Sequence, residues 1–249
     1  LWRRLERWRR SGRGVAPPGA LGWTVPAGAH IAPPAIGDID DDGIAEIVAG
    51  PGRRVFAFEM GEPELEFDVF LPADLSDAIT LGDLDLDGDL ELLCPTATGV
   101  LYALDHTGVE LGDSWPFDTG VPQALTSAAV AQLVAMPEPE LAFANRDWRL
   151  YQVLGDGTSH TLYPVNTSSG WYLYGAPIIG SVGRMSSSIV IGDRGDRGWS
   201  WTNTGFCEDG WPKDLLDQVN LSPAMGDLDL DGANEIVFLT DTQLTVVDV

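Results

Sequence analysis

The stretch from Asp83 to Glu91 reads DLDLDGDLE and places carboxylates at alternate positions of a short loop. The pattern D-x-D-x-D-G-x-x-E occurs three times: Asp38, Asp40, Asp42, Gly43, Glu46; Asp83, Asp85, Asp87, Gly88, Glu91; and Asp227, Asp229, Asp231, Gly232, Glu235. Calcium takes about six to eight oxygen ligands, and such a loop supplies most of them. The glycine permits the sharp turn that brings the chain around the ion. The pattern predicts about three bound calcium ions.

An acidic turn without metal is the simpler alternative, because Asp and Gly are common in turns. A single copy of the pattern would leave that alternative open. Three copies share an apolar residue at the second position, namely Ile39, Leu84 and Leu228, and this favours calcium. Four carboxylates crowded without a cation would also repel one another strongly.

The residues after each loop indicate strands. The last acid stands at position nine, not at position twelve as in an EF-hand. It is followed by a short apolar run in every copy: Ile47-Val48, Leu92-Leu93 and Ile236-Val237. Each loop is therefore expected to join two strands.

The spacing of the copies predicts the fold. Asp38 and Asp83 are 45 residues apart, and Asp83 and Asp227 are 144 apart, about three more periods. Two degenerate copies fill the gap. Residues 128–143 align with residues 79–94 and place Gln132 on Asp83 and Glu140 on Glu91, and residues 176–191 put Ser181 at the first loop position. Five repeats of about 45 residues built from short strands are typical of a β-propeller, with one four-stranded blade per repeat.

The prediction is an all-β protein without amphipathic helices after residue 14. The expected blades cover residues 28–72, 76–120, 124–168, 172–216, and 219–249 with 20–27. The third strand of each blade is alternating or continuously apolar, as expected of strands covered on both faces. These strands are Arg54–Phe58, Val100–Leu104, Arg149–Leu154, Gly198–Trp201 and Leu244–Val247.

The repeats resemble the FG-GAP/VCBS family, whose blades also build the propeller of integrin α-subunits. The resemblance rests on residues 34–40 (PAIGDID) with Glu46-Ile47-Val48, on residues 223–229 (PAMGDLD) with Glu235-Ile236-Val237, and on Gly175-Ala176-Pro177. It implies calcium bound by the acids at loop positions one, three, five and nine and by the backbone carbonyls of Ile44, Asp89 and Ala233. No metal is expected in blades three and four. The family includes adhesion modules, lectins and propellers appended to secreted enzymes, so the resemblance implies a fold and a cation more than an activity.

Two ring arrangements are compatible with the repeats. Leu21–Ala27 reads as a fourth strand without a blade, and pairing it beside Gln243–Val249 would close a five-bladed ring. Alternatively, the five blades are part of a larger ring, with seven blades expected, in a longer polypeptide that carries other domains.

The charge distribution excludes two classes of partner. The net charge of −24 is concentrated after residue 14, since residues 1–13 contain six arginines. Such an acidic surface repels nucleic acid and anionic membranes. No stretch approaches the roughly 20 apolar residues of a membrane span. Residues 1–19, basic and then rich in Pro and Gly, read as a linker or the end of another module.

The sequence predicts the function of this protein less clearly than it predicts the fold. The three histidines, His30, His106 and His160, are isolated, and no nucleophile or phosphate-binding motif is present, so no enzyme activity is expected. The leading interpretation is an extracellular interaction or adhesion module, or an accessory domain of a secreted protein, with structural calcium. The alternatives are a propeller lectin, which the aromatic set Trp171, Tyr172, Tyr174, Trp199 and Trp201 would serve, or the non-catalytic part of a secreted hydrolase or lyase. The ligand would be a protein or a glycan.

Overall fold

The computed structural model describes residues 32–59, 65–112, 114–133, 139–167, 170–182 and 187–248. Every regular element in these ranges is a β-strand. The strands are β1 Ala35–Gly37, β2 Glu46–Ala49, β3 Arg54–Glu59, β4 Leu65–Phe70, β5 Thr80–Gly82, β6 Glu91–Pro95, β7 Val100–Leu104, β8 Phe117–Asp118, β9 Ala129–Ala131, β10 Glu140–Ala144, β11 Arg149–Leu154, β12 Val165–Asn166, β13 Ile178–Ser181, β14 Ser187–Gly192, β15 Arg197–Thr202, β16 Lys213–Asp214, β17 Ala224–Gly226, β18 Glu235–Leu239 and β19 Leu244–Val247.

Consecutive strands pair antiparallel and form five sheets within the described ranges. The sheets are β1–β4, β5–β8, β9–β12, β13–β16 and β17–β19, which we number as blades one to five. The prediction of an all-β propeller with five repeats is confirmed. The fourth strand expected for blade five, Leu21–Ala27, lies outside the described residues, as does the basic segment Leu1–Gly14.

The first strands of neighbouring blades lie side by side and form the inner wall of the propeller. A Cβ on Gly37 of β1 would lie 2.8 Å from Cδ1 of Leu81 in β5. The same close approach joins Gly82 to Val130, at 3.1 Å, and Gly180 to Sδ of Met225, at 2.5 Å. In blades one, two and four, a glycine of the first strand thus receives the middle side chain of the next blade's first strand.

Second and third strands are buried on both faces because they lie between blades. In blade two, Leu92, Cys94, Tyr102 and Leu104 pack against blade one. The alternate residues Leu93, Leu101 and Ala103 pack against blade three. This two-sided burial explains the continuous apolar runs, which a sheet with one solvated face would not need.

The described blades form an open arc. Four apolar clusters join consecutive blades among the described residues, and none of them joins blade five to blade one. An added Cβ on Gly226 of β17 would have no atom within 4 Å, whereas the same space beside Gly37, Gly82 and Gly180 is filled by a side chain of the next blade. Ile36, the middle residue of β1, would fill the space beside Gly226 in a closed ring, but it is 65% exposed. The contacts therefore do not show the closed five-bladed ring that the sequence left open.

Within the described ranges, no helix is long and apolar enough to cross a bilayer.

Candidate metal-binding loops

The three acidic loops connect the first and second strands of blades one, two and five, so they lie at the same end of the propeller. In each loop, three carboxylates offer oxygens that lie within 4.8 Å of one another. The groups are Asp38, Asp40 and Asp42; Asp83, Asp85 and Glu91; and Asp227, Asp229 and Glu235. Glu46, Asp87 and Asp231 are outside these converging groups.

The three loops share one backbone conformation. Residue four is left-handed in each, with φ of 52° at Asp41, 64° at Leu86 and 64° at Leu230. The glycine at residue six has a positive φ in each as well, at Gly43, Gly88 and Gly232. A side chain would be strained at such a φ, which explains why glycine stands there.

The acid at loop position five holds the turn together. One carboxylate oxygen of Asp42, Asp87 and Asp231 accepts a hydrogen bond from the N–H two residues later, at 2.8, 3.0 and 2.8 Å. These donors belong to Ile44, Asp89 and Ala233. Their carbonyls as calcium ligands remain a prediction. The side-chain carboxylate of Asp89 contacts a histidine: its Oδ2 lies 3.0 Å from Nδ1 of His106.

In two of the three loops, the acid at position one has a carboxylate oxygen that is free to bind a cation. Asp38 accepts the N–H groups of Asp42 and Gly43, at 3.1 and 2.9 Å. In the other two loops, Oδ1 of Asp83 and Oδ1 of Asp227 are buried and accept no hydrogen bond from the described residues. A buried carboxylate oxygen without a donor is costly unless a cation coordinates it. The donor set is all oxygen, which suits calcium.

The glutamate at loop position nine has a second, structural contact. Oε2 of Glu46, Glu91 and Glu235 accepts the N–H of Ile39, Leu84 and Leu228, at 2.7, 2.6 and 2.6 Å. Each bond ties the start of the loop to the second strand. The sequence analysis assigned these glutamates to the metal alone and missed this bond. Its sequence signal was Glu140, which is retained in blade three although the acids of loop positions one, three and five are absent.

Blade three shows that the glutamate bond is independent of the metal. Oε2 of Glu140 accepts the N–H of Leu133 at 2.6 Å, as in the acidic loops. In blade four the register places Ser188 at this position, opposite Gly180. The Ser188 hydroxyl donates a hydrogen bond to Oε1 of Glu208.

The carboxylates of the acidic loops raise one another's proton affinity. Burial raises the pKa of Glu91 to about 7, and the charges of Asp85, Asp87 and Asp83 add to this, against the lowering effect of the bond from Leu84. Burial and neighbouring aspartates also raise the pKa of Glu46. A divalent cation at this place would relieve both costs, since its charge favours the ionised form.

An aromatic surface lies at the opposite end of the propeller, where the second and third strands turn. Trp148 in the β10–β11 hairpin, Trp171 and Tyr172 are exposed. Trp199 and Trp201, which the sequence grouped with them, are buried and stacked between blades at 5.8 Å. We call Trp148, Trp171 and Tyr172 the hairpin-tip patch.

Two arginines connect the parts of this surface. The guanidinium groups of Arg146 and Arg194 lie 4.8 and 5.2 Å from the ring centre of Tyr174. Tyr172 contacts Tyr174 edge-to-face at 6.1 Å. Six of the seven arginines after residue 14 lie in or beside these hairpins: Arg53, Arg54, Arg146, Arg149, Arg194 and Arg197. The two ends of the propeller thus differ in charge, with the acidic loops at the other end.

Trp148 occupies an unusual backbone conformation. Its φ is 64°, and the equivalent hairpin positions hold Gly99 in blade two and Asp196 in blade four. A left-handed conformation costs a bulky residue about 1–3 kcal/mol. Residues held in sparsely populated backbone conformations cluster at functional sites, and the sequence alone gave no sign of this one.

Sequence comparison identifies no relative: the chain matches no protein-family model and no curated protein. Solved structures match by fold. Sqt1 of Saccharomyces cerevisiae superposes with a TM-score of 0.70 at 10% identity, over 92% of this chain and 62% of that one. BBS1N, crystallised in complex with ARL6DN, superposes with a TM-score of 0.65 at 13% identity, over 95% of this chain and 70% of that one.

A designed protein belongs to the same set of structures. The computationally designed Ika8 superposes with a TM-score of 0.57 at 15% identity, over 88% of this chain and 58% of Ika8. This chain therefore spans between about three fifths and seven tenths of the matched structures. At such identities the likeness establishes the fold alone: the chain is a β-propeller.

Proposed function

We propose that this chain is a calcium-stabilised, non-catalytic β-propeller of the FG-GAP/VCBS type that acts as an extracellular interaction module. The observation that carries the proposal is the shared geometry of the three acidic loops. Each gathers three carboxylates within 4.8 Å, and two of the loops hold a buried oxygen that no donor satisfies. Calcium loops of modest affinity suit compartments where calcium is plentiful, which supports a secreted or cell-surface location.

Calcium has a structural role in this proposal. Each loop joins an inner strand to the second strand of the same blade, so an ion there fixes the start of the blade. Blades three and four keep their first and second strands without the acids. Blade three retains the glutamate bond through Glu140, and in blade four Ser188 bonds to Glu208 of the β15–β16 loop. An ion that adds to a glutamate bond, and that two blades do without, behaves as a local cross-link.

An interaction role is favoured because the end of the propeller opposite the acidic loops exposes the aromatic side chains of Trp148, Trp171 and Tyr172. The propeller BBS1N was crystallised with the protein ARL6DN bound. For this chain, a protein partner would meet the hairpin-tip patch, which is far from the acidic loops.

Calcium titration tests the metal part of the proposal. Isothermal titration calorimetry of the chelator-stripped chain is expected to give about three bound calcium ions. Asp85→Asn should remove one ion. The control is Asp156→Asn, because Asp156 is an exposed turn acid whose Oδ1 bonds to Thr158 and which belongs to none of the acidic loops. A stoichiometry near zero or near five would contradict the proposal.

Carbohydrate binding is the second candidate, and the hairpin-tip patch favours it. Exposed aromatic rings offer stacking faces to sugars, and the exposed Asp196 and the half-buried Asp147 offer hydrogen-bond acceptors nearby. Binding would then depend on the patch and only indirectly on calcium.

Glycan arrays and protein pull-downs with matched variants distinguish the two candidates. A lectin should lose glycan binding in Trp148→Ala and Trp171→Ala. Phe206→Ala is the control, since Phe206 is an exposed aromatic residue in the β15–β16 loop, at the acidic-loop end. Protein capture that the patch variants abolish, with no glycan bound, would support the interaction module. Glycan binding that survives both tryptophan variants would exclude the patch as a lectin site.

A further inference from the structure

The outward face of blade five repeats a surface that is buried in every other blade. Leu244 of β19 pairs with Leu239 and occupies the same register position as Val55, Leu101 and Leu150 in blades one to three. Those three residues are fully buried against the following blade, whereas Leu244 is 63% exposed. Val246 is exposed too, and its counterparts Ala57, Ala103, Gln152 and Ser200 are fully buried.

A residue in the loop between the first and second strands shows the same difference in burial between blade five and the other blades. The apolar residue at loop position two is buried in blades one to four, as Ile39, Leu84, Leu133 and Val182. Each of them belongs to the cluster shared with the following blade. In blade five this residue is Leu228, which is 60% exposed. Together with the empty space at Gly226, these positions define the outward face: Gly226, Leu228, Leu239, Leu244 and Val246.

We propose that the outward face is an inter-blade surface that docks a further four-stranded blade built like blades two to five. The four interfaces between the described blades indicate which side chains the occupant must present. It carries an apolar side chain at the middle of its first strand, which fills the space at Gly226 as Leu81 fills that at Gly37. Its second and third strands present alternate apolar side chains to Leu244 and Val246.

A second copy of this chain is a poorer occupant. Blade one of another copy would have to present Phe56 and Phe58, which correspond to Tyr102 and Leu104, the residues of blade two that face the preceding blade. Phe56 and Phe58 are already buried, so their face is not open to a second molecule. The matched structures are long enough for extra blades: this chain covers 62% of Sqt1 and 70% of BBS1N, and the remaining length equals about three blades of this size in Sqt1 and about two in BBS1N.

The test compares this chain with the same chain extended at its C-terminus by a second copy of residues 76–167, which contains blades two and three. Leu244→Ser should change the melting temperature of the 249-residue chain by less than about 2 °C, because its side chain is exposed there. In the extended chain the same substitution should lower the melting temperature by at least about 5 °C, since Leu244 is then buried and its loss leaves a cavity between blades. Leu101→Ser, the matched buried position, should be costly in both.

Two results would overturn the proposal. One is a costly Leu244→Ser in the 249-residue chain, which would mean that the face is already covered. The other is an extended chain that aggregates, or that is stable but insensitive at Leu244. As an independent measurement, the 249-residue chain should bind the apolar dye anilinonaphthalene sulfonate, and the double variant Leu244→Ser/Val246→Ser should lose at least half of that binding. Unchanged dye binding would also overturn it.

Discussion

Oε2 of Glu140 accepts a hydrogen bond from the N–H of Leu133 at 2.6 Å in a blade that lacks the acids of loop positions one, three and five. The same bond joins Glu91 to Leu84 in a blade that keeps its acids. The glutamate therefore connects the first and second strands whether or not a metal is bound. Calcium adds to an existing link in blades one, two and five.

Glu140→Ala is expected to destabilise the protein without changing its calcium content. The substitution leaves the buried N–H of Leu133 without an acceptor, which should cost about 1.5–3 kcal/mol. Glu140→Gln should cost less, because its amide oxygen can still accept the bond. Urea denaturation measures the cost, and calorimetry counts the ions. A loss of bound calcium in Glu140→Ala would show that blade three holds a metal after all.

Removal of calcium is expected to lower the melting temperature. At about 100-fold saturation each site contributes about 2.7 kcal/mol, and for a chain of this size each kcal/mol corresponds to about 2–4 °C. Differential scanning calorimetry with calcium and with chelator measures the shift. Asp85→Ala should lower the melting temperature in calcium and have little effect in chelator. The structural role would be excluded if this variant kept its stability but lost ligand binding.

Two glycines at the same blade position should respond in opposite directions to alanine. Gly82→Ala brings a methyl group to 3.1 Å from Val130, so it should destabilise by about 1–3 kcal/mol. Gly226→Ala meets no atom within 4 Å and restricts the unfolded chain, so it should be neutral or stabilise by up to about 1 kcal/mol. Thermal denaturation of both variants decides this. Equal destabilisation would mean that the face beside Gly226 is covered.

Trp148→Gly is expected to preserve or raise stability while it removes binding to the hairpin-tip patch. Glycine relieves the left-handed conformation, which costs a bulky residue about 1–3 kcal/mol. The aromatic ring is exposed, so its loss leaves no cavity in the core. Denaturation and ligand binding should be measured on the same preparation. A strong loss of stability would instead assign Trp148 a packing role.

Local chemistry explains the part of the structure that the sequence predicted. Aspartate at positions one and five and glycine at position six impose hydrogen bonds and positive φ angles within a few residues, so the three loops fold alike. Third strands predicted from apolar runs were found within about one residue, as at Leu244–Val247 and Arg149–Leu154. The repeat period then predicted the number of blades.

Tertiary structure alone decided which of these side chains are exposed. Alternation along β7 and β19 puts Leu101 and Leu244 on equivalent faces, but burial depends on whether another blade lies against that face. Trp199 and Trp171 could not be separated by pattern, because one is packed between two blades and the other lies on a connection at the end of the propeller. The sequence by itself determined the blade and its acidic loops, since these depend on neighbours along the chain. The open face of blade five and the hairpin-tip patch depend on contacts between distant segments, which no local pattern encodes.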